Sequence, residues 1–248
     1  MGDESKDLLG LRPLADTVHV LAKGAVDGAA AFLGRICNPA AEEFGLLLRD
    51  RISYWRLANA VSMARKAEAK YEERIGSAHA QVHPRLAAAV IENSSWTDVE
   101  QVQEMWAGLL VSSCTKDGRD EDNLIFVNLL SQLTTTEAKL LNHACTTAKK
   151  VLVLSSLISS EGLYCSARDL RALTGLADMD RIDRELDHLH TLGLIQGGFK
   201  ASQSTLTIDE AIANIAPTAL ALNMFVRCHG ARQTPAHFFG LSQIPAES

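Results

Sequence analysis

Aromatic residues are scarce in this 248-residue sequence, at 5%, so its core has to be built from Leu, Ala, Val and Ile. Basic charge is not in excess: 24 Lys and Arg face 30 Asp and Glu, a net charge of −6. That balance excludes a globally basic nucleic-acid binder, although not a local basic patch. No apolar run reaches the roughly 18 residues that a membrane-spanning helix needs. The most apolar N-terminal stretch, Val18 to Cys37, is interrupted by His19, Lys23, Asp27 and Arg35. The start, Gly2-Asp3-Glu4-Ser5-Lys6-Asp7, is acidic, unlike the basic-then-apolar order of a signal peptide, and its acids oppose myristoylation at Gly2. Five cysteines, at 37, 114, 145, 165 and 228, are odd in number and widely spaced, with no Cys-x-x-Cys pair. This predicts free thiols in a reducing cytoplasm.

Catalytic signatures are missing too. There is no phosphate-binding glycine loop, no Gly-x-Ser-x-Gly elbow, no kinase motif and no His-Glu-x-x-His. His79 and His83, four apart, would share a helix face and a metal, but Pro84 disfavours helical geometry at His83, so they read as loop histidines. His188 and His190, two apart, diverge on a helix and read as surface residues. Asp117, Asp120, Glu121 and Asp122 suggest calcium, yet the loop lacks the sixth-position glycine and terminal glutamate of an EF-hand and reads as a solvated connection. Cys114 has no histidine near it in sequence and reads as a small buried residue. The sequence therefore predicts no catalytic residue, no metal and no cofactor.

What is present is the pattern of a mainly helical protein, 47% hydrophobic and 22% charged. Residues 1–39 form a Gly/Ala-rich amphipathic segment in which Gly24 and Gly28, four apart, share a face suited to close helix packing. Residues 40–133 hold a long helix to Ile75 stopped by Gly76, a helix opened by Pro84, one introduced by the capping-box pair Thr97 and Glu100, and a short one from Leu124. Apolar residues Val102, Met105, Trp106, Leu109 and Leu110 follow the helical period. Trp55 falls on an apolar face and suits either the core or a membrane interface.

Residues 134–231 run through a helix capped by Thr134 and Glu137 and a second helical face at Val151, Leu154, Leu157 and Ile158. A short extended piece at 163–165 follows, then helices capped by Ser166 and Asp178, closed by Gly175 and Gly193. Strands at 194–195, 205–208 and 212–216 and a last helix from Pro217 end the order, which is that of a winged helix with a small β wing. Residues 232–248 read as a flexible tail.

Charge separates the readings of two helices. The second winged helix carries Asp178, Asp180, Asp183, Glu185 and Asp187 against Arg181 and Arg184, a balance of −3 that penalises a DNA-reading helix. It reads as a protein-interaction or dimerisation module, with DNA binding the lesser reading. From Arg49 to Lys70, Arg49, Arg51, Arg56, Arg65, Lys66 and Lys70 outnumber Asp50 and Glu68. This stretch is either a solvated face paired with acids elsewhere, a contact for an anionic membrane surface, or one for nucleic acid.

Glu104, Met105, Trp106, Ala107, Leu109 and Leu110 resemble the tryptophan-alanine-x-leucine-leucine core of the Abi-alpha (abortive infection alpha) family. Pro84, Phe126, Leu130, Leu133, Glu137, Ala138 and the closing Pro217-Thr218-Ala219-Leu220 with Arg227 and Cys228 are similar to it as well. The resemblance spans about Phe44 to Cys228 and implies a bacterial phage-defence protein with no catalytic residues to carry over and with Trp106, Leu109 and Leu110 as core. From this follows the expectation of a non-enzymatic, cytoplasmic defence protein that works as a homo-oligomer or with a partner defence protein, in contact with the inner-membrane surface in one variant. A winged-helix transcriptional regulator is the alternative.

Overall fold

The computed structural model describes residues 12–37, 39, 51–76, 78–153, 157–199 and 211–241, with side chains from Gly24 in the first helix and from Trp55 in the second. Among them, helices dominate: α1 (Arg12–Ile36), α2 (Arg51–Arg74), α3 (Pro84–Ser94), α4 (Glu100–Ser112), α5 (Leu124–Gln132), α6 (Thr135–Thr147), α7 (Ala167–Thr174), α8 (Met179–Thr191), α9 (Ala219–Cys228) and α10 (Pro235–Phe238). Two small antiparallel sheets complete the chain, β1 (Lys150–Val153) with β2 (Leu157–Ser160), and β3 (Tyr164–Ser166) with β4 (Ile212–Asn214).

Helix α4 is the axis. It buries Val102, Trp106, Leu109 and Leu110 on the periodic face, and also Gln103, Gly108, Val111 and Ser112. A helix buried almost all round must be enclosed by others, and α2, α3, α5, α6 and α9 all pack against it. The apolar cluster around it runs from Ala29 to Cys228, so the N- and C-terminal parts share one core. Elements α6, β3, α7, α8 and β4 follow in an order compatible with a winged helix.

Local chemistry sets most boundaries. Thr134 and Glu137 form both bonds of a capping box, as do Ser166 and Asp169, and Asp178 caps α8. Gly175 ends α7 in the left-handed region (φ 74°), where a side chain is strained.

Several expectations are corrected. Thr97 and Glu100 form no capping box: α4 starts after Val99, and the Thr97 hydroxyl accepts a hydrogen bond from the Val99 N–H instead. The stretch expected as a helical face at 151–158 contains a hairpin, with Val153 paired to Leu157, because a short β-branched apolar run satisfies either period. Strand 194–195 reduces to one bridge between Ile195 and Pro217, and the last long helix starts two residues after Pro217, capped by Thr218. The expected tail is ordered as far as Leu241: Pro235–Phe238 is helical, and Phe225, His229, Phe238 and Phe239 form an aromatic cluster. Trp55 is 42% exposed, not core. The strand at 205–208 and residues 242–248 lie outside the described residues.

Candidate functional site

The basic stretch lies on α2, and three of its cations meet acids on the neighbouring helices. Arg56 Nη2 is 2.6 Å from Glu92 Oε2 on α3, Lys66 Nζ 3.1 Å from Glu100 Oε2 and Lys70 Nζ 2.7 Å from Glu104 Oε2 on α4. Lys66 and Lys70 are one turn apart, as are Glu100 and Glu104, so the two helices meet in matched register. Such surface pairs contribute about 0–1 kcal/mol each and chiefly fix orientation. Arg65 is exposed and belongs to none of these pairs. The side chains of Arg49 and Arg51 lie outside the described residues. A groove of about 640 Å³ beside α2 is lined by Arg65, Lys66 and Lys70 but also by Glu73 and Glu104. Among the described residues, Arg56, Lys66 and Lys70 of this face are thus neutralised within the molecule.

Where α3 ends, the sequence Ser95-Trp96 turns an indole outward. Trp96 is 53% exposed, yet it is fixed: its Nε1–H donates to Glu92 Oε1 (3.0 Å), and the Arg56 guanidinium lies 4.1 Å over its ring. Arg56 Nε in turn donates to Ser95 Oγ (3.0 Å). Burial pushes the Glu92 carboxyl up, but the hydrogen bonds from Trp96 and Arg56 outweigh it and hold the group below the ordinary carboxylate value. Trp96 borders a second groove of about 450 Å³, with Val102, Trp106, Leu130 and Leu133 at its base and Asn93, Thr97, Ser131, Thr134 and Thr135 around it.

Beneath Thr134, a polar joint ties α6 to α8. Glu137 is only 1% exposed. One oxygen accepts the Thr134 N–H (2.7 Å), and the other accepts Nδ1–H of His188 (2.6 Å), since a carboxylate can only accept. The Thr134 hydroxyl donates to Glu185 Oε2, and Arg181 Nε stands 3.6 Å from Glu185 Oε1. Two buried carboxylates are thereby satisfied, as burial of charge demands.

On the far side of α4, the C-terminal segment closes over the acidic loop. Arg232 Nη1 donates to the carbonyls of Ser112 (3.3 Å) and Cys114 (3.0 Å), and Nη2 to Asp120 Oδ2 (2.8 Å). The Asp122 N–H, and then Arg232, hold the Asp120 carboxyl below its usual value. Here α9 crosses α4 so closely that a Cβ on Gly108 would stand 1.8 Å from the Cys228 carbonyl oxygen.

His229 sits in the same region, its Nδ1–H given to Phe225 O at 2.7 Å. Burial lowers its pKa; the bond to Phe225 opposes this, Lys70 and Arg74 reinforce it, and Glu104 opposes it. A histidine whose folded value lies below its unfolded value gives stability that is complete above the unfolded value, about 6.5, and is lost as pH falls below it. Melting temperature is therefore expected to fall from pH 7 to 5, and His229→Gln to flatten that fall. An unchanged slope would remove His229 as its source. The Asp120 contribution, of the depressed-carboxylate kind, fades only below about pH 4.

The remaining sequence candidates are dispersed. His79 is exposed, while His83 is the N-cap of α3, its Nδ1 accepting from the Arg85 N–H. Asp117 turns back onto Thr115 and Arg119 N, and Glu121 faces Arg85. His188 is the Glu137 partner, whereas His190 is exposed. All five cysteines are buried, and burial pushes the thiols of Cys114 and Cys145 up to about 12. Gly24 and Gly28 are exposed, and a Cβ on either meets nothing within 4 Å. Among the described residues, no group of three or more His, Cys, Asp or Glu is placed to hold a metal, and no helix is long and apolar enough to cross a membrane. Trp96, Gly108, the Glu137–His188 contact and Arg232 are the features that sequence patterns missed. Only the box formed by Thr134 and Glu137 hinted at one of them.

A mainly helical protein wound around one buried, tryptophan-bearing helix is the class these observations define. The model of the abortive infection alpha family matches residues 58–223, from within α2 to within α9. The chain belongs to that family, and its role lies in abortive-infection defence. No curated protein and no solved structure matches it.

Proposed function

We propose that this defence protein acts without catalysis, by changing its assembly state. The observation that supports the reading is the open face of α1, where Gly24, Asp27, Gly28, Ala31 and Arg35 are exposed. Their spacing of three and four places them along one stripe. Asp27 and Arg35 lie four residues either side of Ala31. An antiparallel pairing of two copies about Ala31 sets each Asp27 against Arg35 of the second copy, and the small residues between them let the backbones approach.

Light scattering on the full chain tests this. The wild type is expected above monomer mass, Asp27→Arg to shift it towards monomer, and the swap Asp27→Arg with Arg35→Asp to restore it. A wild type that stays monomeric at all concentrations sinks the reading. Flotation of the same samples with anionic vesicles separates self-association from contact with the inner-membrane surface. Because Arg56, Lys66 and Lys70 are already paired, vesicle binding through α1 should change little with salt, whereas binding lost steeply with salt would point to the exposed Arg65.

The alternative of a DNA reader meets the charge on α8. Asp180, Asp183 and Asp187 are exposed there, and burial, then Asp187 and Asp180, push the Asp183 carboxyl up. Uncompensated negative charge on the helix that would enter the major groove opposes phosphate contact.

A further inference from the structure

The geometry points to a binding site for an uncharged carbohydrate in the groove between Trp96 and the junction of α5 and α6. This goes beyond the assembly reading and does not depend on it. Exposed tryptophans are usually mobile. Trp96 is held by Glu92 and by Arg56 while about half of it remains open to water. A flat apolar surface fixed before any ligand arrives adds contact area at small entropic cost. Arg56 covers one face of the ring and is no part of the groove wall, so the groove meets the surface of the indole that Arg56 leaves open.

The wall contains no charged side chain. A charged ligand would lose its water there without gaining a counter-charge. The wall does offer neutral hydrogen-bonding groups. Asn93 gives an amide N–H to Ala89 O (2.7 Å), which leaves its carbonyl oxygen as an acceptor. Thr135 is exposed, and among the described residues its hydroxyl is engaged by no protein partner. Ser131 donates to Asn128 O and keeps its lone pairs. An indole face for the C–H side of a pyranose, with amide and hydroxyl groups for its hydroxyls, is the chemistry that recognises a neutral sugar ring. The volume, about 450 Å³, falls in the range of small-molecule sites and suits a disaccharide.

Titration calorimetry of the full chain with chitobiose, cellobiose, maltose and lactose tests this, with tryptophan fluorescence as a second readout. At least one is expected to bind with a dissociation constant of about 0.1–1 mM. Trp96→Ala should weaken that binding at least about tenfold and Thr135→Val about threefold, with both variants still unfolding in one cooperative transition, since neither residue is core. Three outcomes overturn the assignment: no heat from any of the four at about 10 mM, binding that survives Trp96→Ala, or adenosine binding more tightly than every disaccharide.

Discussion

Gly108→Ala is expected to cost about 4 kcal/mol or more, a large share of the roughly 5–15 kcal/mol that holds an ordinary domain folded. In an open helix the same change gains about 1 kcal/mol. Here the new Cβ would lie 1.8 Å from Cys228 O, 2.4 Å from Cys228 C and 2.9 Å from Gly230 N. All three are backbone atoms, so no rotamer relieves the clash, and α4 and α9 must move apart through the centre of the core. Overpacking of side chains alone costs about 1–3 kcal/mol, and a backbone clash exceeds it. Urea unfolding followed by circular dichroism measures the loss, and insoluble expression would report the same result. Gly24→Ala, outside the stretch where two copies would approach, provides the contrast: the site is open, and the substitution should stabilise by up to about 1 kcal/mol. A Gly108→Ala protein as stable as the wild type would mean that the crossing is not as close as described.

Glu137→Leu is expected to cost about 3 kcal/mol. The change removes the capping-box acceptor of the Thr134 N–H, worth about 1 kcal/mol. It also removes the charge-assisted partner of His188, worth about 1.5–3 kcal/mol. Glu137→Gln keeps an acceptor for the cap and should recover roughly the first part. A double-mutant cycle with His188→Ala isolates the link between α6 and α8, with a coupling of about 1–2 kcal/mol expected. Strict additivity of the two losses would show that the 2.6 Å contact carries no energy of its own.

Helices with a chemical start or stop were legible in the sequence. Thr134 with Glu137, Ser166 with Asp169, Asp178 and Gly175 mark ends that depend on neighbours two to four positions away. The tryptophan-centred motif was legible too, because α4 is apolar enough for its burial to show in one dimension. Residues Val151 to Ile158 were misread since their apolar spacing fits a helical face, while the β-branched Val151, Val153 and Ile158 favour strands. Gly108 was the unread position inside the motif: its requirement comes from Cys228, 120 residues later, and no local pattern encodes a close approach at that separation. For the same reason Glu137 and His188, 51 apart, were noticed separately and never as a pair. The cations of α2 looked unbalanced because their acids sit on other helices, Glu92 on α3 and Glu100 and Glu104 on α4.

The seating of Cys228 on Gly108, and the reach of Arg232 across 112 positions to Asp120, set an order of events during synthesis. Translation adds roughly 5–20 residues per second, so α4 waits on the order of ten seconds before the segment that closes over it exists. During that interval the side of α4 that will meet α9 is wet, and the nascent chain is a client for chaperones and proteases. The core therefore closes only once α9 has been made. A transcript cut short before Cys228 should yield a polypeptide destined for degradation in place of a smaller working protein.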